Sequence, residues 1–178
     1  MASSSTLNVW ATIASEAERE SPLWGAARKA DPEHEPVFSP LAERRYALGI
    51  ETIYEGYLLH YGRPRLFGPA DADTRLLLGD YLYAHGLQRV TALHELTAVT
   101  DLAELISLCA QVRAEGGDGD AEAWAATAVM LGRDEGLAEA RAALRDRRDA
   151  GAFAALARES AGSEAVERAL AAHRARLL

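Results

Sequence analysis

Residues 57 to 87, YLLHYGRPRLFGPADADTRLLLGDYLYAHGL, set two strongly apolar segments on either side of a polar turn rich in arginine, glycine and proline. Gly62 and Pro64 stop the first segment, because proline lacks an amide donor and restricts the residue before it. Asp71 or Asp73 supplies an N-cap for the second, whose side-chain oxygen would satisfy amide groups left open by the first turn. The stretch therefore reads as helix, turn, helix.

The helical pattern extends in both directions from this pair. Upstream, SPLAERRYALGIETIYEGYLLHY starts with Ser39 as a cap, Pro40 at the first helical position and Glu43 in the first turn. Its apolar face runs through Leu41, Tyr46, Ile50, Ile53, Tyr57 and Leu58. Three prolines in DPEHEPVFSP make residues 31 to 40 a loop, and before it a helix capped by Ser5 or Thr6 and broken at Pro22 ends near Ala30. Downstream, Leu76 to Leu87 is apolar nearly all round, which predicts a central helix with neighbours on every side. Val99, Leu102, Leu105, Cys109 and Val112 mark a fourth helix that GGDGD ends. Residues 117 to 178 are alanine-rich, and Gly132, Gly136, Gly151 and Gly162 divide them into short helices with few large side chains. No strand pattern survives. The expected fold is an all-α helical bundle in one domain, with a main bundle over residues 1–116 and a thinner C-terminal part over 117–178.

A chain of 178 residues can bury roughly 70% of its unfolded surface, enough for a core without covalent staples. The single cysteine, Cys109, lies in an apolar run and is expected as a buried thiol in a reducing compartment. No leader-like start or long apolar run is visible, so a cytoplasmic protein without a membrane span is expected. A net charge of -8 argues against a nucleic-acid partner, which needs concentrated positive charge. Lys29 is the only lysine among 19 basic residues, an excess of arginine that, with so much alanine, is associated with GC-rich bacterial genomes.

Several groups could carry chemistry. Arg63 and Arg65 in the turn can offer guanidinium forks to phosphate or carboxylate, with His60 close by, or can simply cap the carboxyl end of the helix before them. Asp80, inside an apolar helix, needs a partner, and Gly79 beside it suggests that another helix passes close. Glu51 and Glu55 share a helical face and, with His85, His94 and Glu95, allow a bundle metal site to be imagined, although the Glu-x-x-His spacing of di-iron bundles is missing. Arg141, Arg145 and Arg148 form a stripe that is either solvated, with Glu139 and Asp146 as local compensation, or meets an acidic partner. The tyrosines at 54, 57, 61, 81 and 83 suit a surface that is apolar on one side and wet on the other, whether a lipid tunnel, a subunit interface or the edge of a core.

Residues 47 to 90 resemble the central segment of the trans-isoprenyl diphosphate synthases, the all-helical polyprenyl synthetase family. There, a helix carrying a glutamate ends in an apolar-apolar-His run, an aspartate-rich motif and an Arg-Arg-Gly-x-Pro turn follow, and the next helix contains Leu-x-Gly-Asp. Glu51, then Leu58, Leu59 and His60, then Gly62 and Pro64, then Leu77, Gly79, Asp80, Tyr81 and Leu82 occupy the similar positions. The departures lie where the family does its chemistry. His60 passes through Tyr61 directly to Gly62, with no metal-binding aspartates between. The later DGD and DRRD runs do not follow an apolar helix in the family manner. The doubled arginine is replaced by His60 and Tyr61, which favours a structural turn over a diphosphate grip.

Ionising an allylic diphosphate needs divalent metal held by several carboxylates. The resemblance therefore implies a non-catalytic small subunit of a two-component synthase, with a truncated isoprenoid-synthase fold, no cofactor of its own, and magnesium only through a catalytic partner. Tyr57, Tyr61, Leu78, Tyr81, Leu82 and His85 are the expected interface or channel residues, with Gly62, Pro64, Gly79 and Asp80 structural. Two other readings stand beside it: a homodimeric helical binding or scaffold protein, and a metal enzyme.

Overall fold

The computed structural model describes residues 8–133 and 136–177. Among these, nine α-helices and no strand are found, as the helical pattern predicts. They are α1 (Val9–Glu20), α2 (Pro22–Ala26), α3 (Ala47–Tyr61), α4 (Ala72–Thr91), α5 (Leu96–Ala114), α6 (Asp120–Met130), α7 (Leu137–Arg147), α8 (Gly151–Ala161) and α9 (Ser163–Arg174).

Local chemistry fixes most of these ends. Asn8 caps α1 by accepting from the Ala11 amide, and Ser21 caps α2 by accepting from Leu23 with Pro22 at the first position. The expected cap at Ser5 or Thr6 lies outside the described residues. Asp71 caps α4, one carboxylate oxygen accepting from the Thr74 amide at 2.7 Å and the other from its hydroxyl at 2.8 Å. The start of α3 differs from expectation. Pro40 opens only a short 3-10 turn, Ala42 and Glu43 are extended, a second such turn spans Arg44–Tyr46, and the α-helix begins at Ala47. The chain must straighten between the turns before the helical hydrogen-bond ladder can form.

The centre of the molecule is α3, not α4. Eleven residues of α3, from Gly49 to Leu59, are buried, including Glu51, Thr52 and Glu55. Helix α4 is amphipathic instead: Leu78, Leu82, Gly86 and Val90 face inward, whereas Leu76 and Leu77 are 54% and 60% exposed. The leucine run at 76 to 78 wraps around the helix, so it includes two outward positions.

Helices α3 and α4 run antiparallel at close range because glycines face each other. A Cβ on Gly56 would lie 2.9 Å from the Gly79 carbonyl oxygen, and one on Gly86 would lie 3.1 Å from that of Gly49. The close approach expected at Gly79 is therefore present, and it involves His60, whose Nε2 would meet a Gly79 Cβ at 2.6 Å.

Two apolar cores flank α3. A smaller one joins Ile13 and Ala17 of α1 to Leu59, Leu66, Phe67, Leu78 and Leu82. The larger gathers Phe38, Tyr54, Tyr57, Leu105, Cys109, Trp124, Leu144, Phe153 and Leu170, so it spans the whole chain from the loop before α3 to α9. The alanine-rich part is accordingly not a thin annex: ten of the eleven residues of α6 are buried, and Trp124 is among the largest buried side chains. Small alanines let α6 sit deep between its neighbours, with a single indole filling the space. Cys109 is a buried free thiol, as expected.

Candidate functional site

The turn that draws attention in the sequence is built around Arg65. Its side chain is fully buried against α3. Nη1 donates to Glu51 Oε2 at 2.6 Å and to the Glu35 carbonyl at 3.0 Å, and Nε donates to Glu55 Oε2 at 3.1 Å. Glu55 Oε1 accepts the Leu66 amide at 2.7 Å. The guanidinium lies over the rings of Trp10 and Tyr54, at 4.6 and 4.9 Å from their centroids. Burial works to lower the Arg65 pKa, but Glu51 and Glu55 overcome it and the net shift is upward. Glu51 and Glu55, four residues apart, thus form a two-pronged receptor for the chain's own arginine.

Arg63 points elsewhere. Its amide donates to the Arg176 carbonyl at 2.8 Å and its side chain donates to the Ala175 carbonyl, so residues 175 and 176 lie across the turn. Gly62 is also bridged to Leu177. His60 faces a third direction, stacked on Tyr83 with ring centroids 5.0 Å apart. Burial depresses its pKa, against the opposing pull of Asp80. The expected grouping of Arg63, Arg65 and His60 as one anion grip is therefore not assembled, since each is drawn to its own partner: Arg65 to Glu51 and Glu55, Arg63 to the Ala175 carbonyl and His60 to Tyr83 and Asp80. The helix-capping role expected of the two arginines belongs to Arg75, which donates to the Leu59 carbonyl and, at 2.6 Å, to that of Gly62.

Beside the turn lies a cleft of about 500 Å³ lined by Lys29, Glu33, Glu35, Arg63 and Arg176. Its cations are engaged by the chain itself: Lys29 donates to the Pro64 carbonyl, and Arg176 donates to Glu33 at 3.0 Å and Glu35 at 3.4 Å. The hydrogen bond to Arg176 holds Glu33 below its ordinary pKa, against a smaller opposing effect of burial.

Other expected site residues also separate. Tyr57, Leu78 and Leu82 are buried and cannot line an interface, because their helical phase turns them into the two cores. Tyr61 packs on Tyr57 in the larger core, and Tyr81 packs against Trp24 and His85. His85 lies 2.8 Å from Glu16, while Glu95 pairs with Arg45 at 2.6 Å. Asp80 is not a buried acid, for its side chain is 64% exposed and approaches His60 Nε2 at 3.2 Å from outside. The arginine stripe of α7 and its cap is solvated at Arg145 and Arg148, which pair with Glu104 and Glu115, whereas Arg141 turns inward to the buried Asp101 at 2.8 Å; these acids stand in place of Glu139 and Asp146.

A second polar centre, unforeseen in the sequence, sits on the opposite side of α3. Asp120, at the start of α6, accepts from the Tyr57 hydroxyl and from Arg113 at 2.9 and 2.5 Å. Its Oδ2 lies 3.7 Å from Nε2 of the fully buried His173, whose Nδ1 is 2.9 Å from the Tyr54 hydroxyl. Burial raises the Asp120 pKa, and His173, Tyr57 and Arg113 together reverse this, leaving it well below the usual carboxylate range. Burial followed by Asp120 pushes the Tyr57 phenol far up. Asp120 belongs to the DGD run, which reads as loop in the sequence, and nothing local to it marks it as the centre of such a cluster.

The arrangement does not fit a divalent cation. Glu51 and Glu55 already share an internal counter-cation, and among the described residues no three His, Cys, Asp or Glu side chains converge as a metal-binding group. Nor, among the described residues, is any helix long and apolar enough to cross a membrane. Comparison with protein-family models, curated proteins and solved structures finds no match to this chain.

Proposed function

We propose that the chain is a non-catalytic subunit that works by binding a catalytic prenyl diphosphate synthase, and that it helps set the length of the isoprenoid product. The observation that supports this reading is the buried Arg65–Glu51–Glu55 lock. Arg65, which from the turn could have offered a fork to phosphate, and Glu51, which occupies a position similar to the family's helix glutamate, are spent on holding α3 to the turn. Magnesium and the ionisation of the allylic diphosphate would then belong to the partner's carboxylates.

What remains for this chain is shape: a rigid α3–α4 pair, locked by facing glycines, that can form one wall of a composite structure. The test is to mix the purified chain with a full-length synthase from the same genome that carries both aspartate-rich motifs. A stable complex by light scattering, with a changed product chain length, is expected. Absence of both, or turnover of an allylic diphosphate by this chain alone with magnesium, overturns the proposal.

A further inference from the structure

Among the described residues, helix α4 leaves one face exposed. Asp73, Leu76, Leu77, Asp80 and Ala84 recur at intervals of three and four, so they stand on one side of the helix, and all five are exposed. Leu76 and Leu77 are 54% and 60% exposed, and adjacent leucines this open on an ordered helix carry a hydration cost that a partner would relieve. We propose that this face is the docking surface for the catalytic partner, and that it takes a helix or ridge whose apolar centre is flanked by lysine or arginine. The inference rests on the partner reading given above.

Charge decides the kind of occupant. The face carries two carboxylates, Asp73 and Asp80, one helical turn to either side of the leucines. The two arginines of α4 do not offset them on this side: Arg75 is bound to the carbonyls ending α3, and Arg89 is paired with Glu16 at 2.7 Å. Among the described residues Asp80 pairs with His60, at 3.2 Å, and its side chain stays 64% exposed.

A second copy of the chain is a poor occupant. A two-fold contact places residue i against residue j and j against i, so an antiparallel crossing centred on the two leucines sets Asp73 of one copy opposite Asp80 of the other. Like charges brought together at an apolar contact oppose association. A basic-rimmed ridge satisfies both the leucines and the carboxylates, and the net charge of -8 adds long-range attraction for such a partner.

The experiment measures binding of the full chain and its variants to the same purified synthase. Leu77→Arg and Asp80→Lys are both expected to weaken the complex by about tenfold or more, as loss of a central contact does, and the wild-type affinity is expected to fall as salt rises. Leu96→Arg serves as the control: it alters a leucine that is 75% exposed at the start of α5 and is expected to leave binding unchanged. Circular dichroism confirms that each variant is folded. If wild type binds and both α4 variants bind equally well, the docking face is wrong while the partner reading stands. If wild type forms a homodimer that Leu77→Arg splits, the occupant is a second copy and the inference is overturned. If wild type binds no synthase, the partner reading falls and takes this surface with it.

Discussion

Two buried charge centres flank α3, and they are made in opposite ways. The Arg65 centre draws its charged groups from residues 51, 55 and 65, close together in the chain. The Asp120 centre gathers residues 54, 57, 113, 120 and 173, with Tyr54 and His173 119 positions apart. The first ties a turn to the helix that precedes it. The second ties three helices, α5, α6 and α9, to α3. A local lock can be completed as soon as its helix forms, whereas the remote one requires the whole fold, because closing a long loop must be offset by contacts made at the end.

The sharpest way to break this contrast is Arg65→Met. Two buried carboxylates would lose their shared cation, and a loss of about 3–5 kcal/mol in urea unfolding is expected. Replacing all three members together, as Glu51→Leu, Glu55→Leu and Arg65→Met, is expected to recover most of that loss, since no unpaired charge remains. Retention of full stability by Arg65→Met alone would show that the lock is not internal.

Asp120→Asn comes next, with an expected cost of about 1–3 kcal/mol near neutral pH. Its pH dependence has a defined sign. The folded pKa of Asp120 lies below the ordinary value, so the unfolded chain binds more protons in acid, and the contribution is complete above the ordinary carboxylate range. It is lost as pH falls through that range and below it. Acid-titrated thermal melts should therefore show a shallower acid slope in the variant than in wild type.

His173→Phe puts a somewhat larger ring in a fully buried place and removes the contacts to both Tyr54 and Asp120, and about 1–2 kcal/mol is expected from the same unfolding measurement. Arg63→Ala is the smallest change. Its exposed side chain bonds to the Ala175 carbonyl, and an effect of about 0.5–1 kcal/mol is expected.

The same contrast explains what could be read from the sequence. Helix class, the Asp71 cap, the Gly62–Pro64 stop and the close approach at Gly79 follow from local chemistry, and all are present. Glu51 and Glu55 were recognisable as a pair on one face, but their partner was not, because nothing in the order Arg63, Pro64, Arg65 says which guanidinium turns inward. Leu76 to Leu78 misleads for a related reason: three consecutive leucines cannot share one face of a helix, and only the neighbours reveal which is buried. Asp120 was invisible, since a loop aspartate becomes central only when α9 delivers His173.

The path of the polypeptide has a temporal consequence. Tyr54 and Tyr57 leave the ribosome long before His173, and Gly62 long before Leu177, so the early helices wait with unmatched hydroxyls inside their apolar surroundings. Final consolidation is deferred to α9, and a nascent fragment stopping before it would offer chaperones and proteases an unfinished interior.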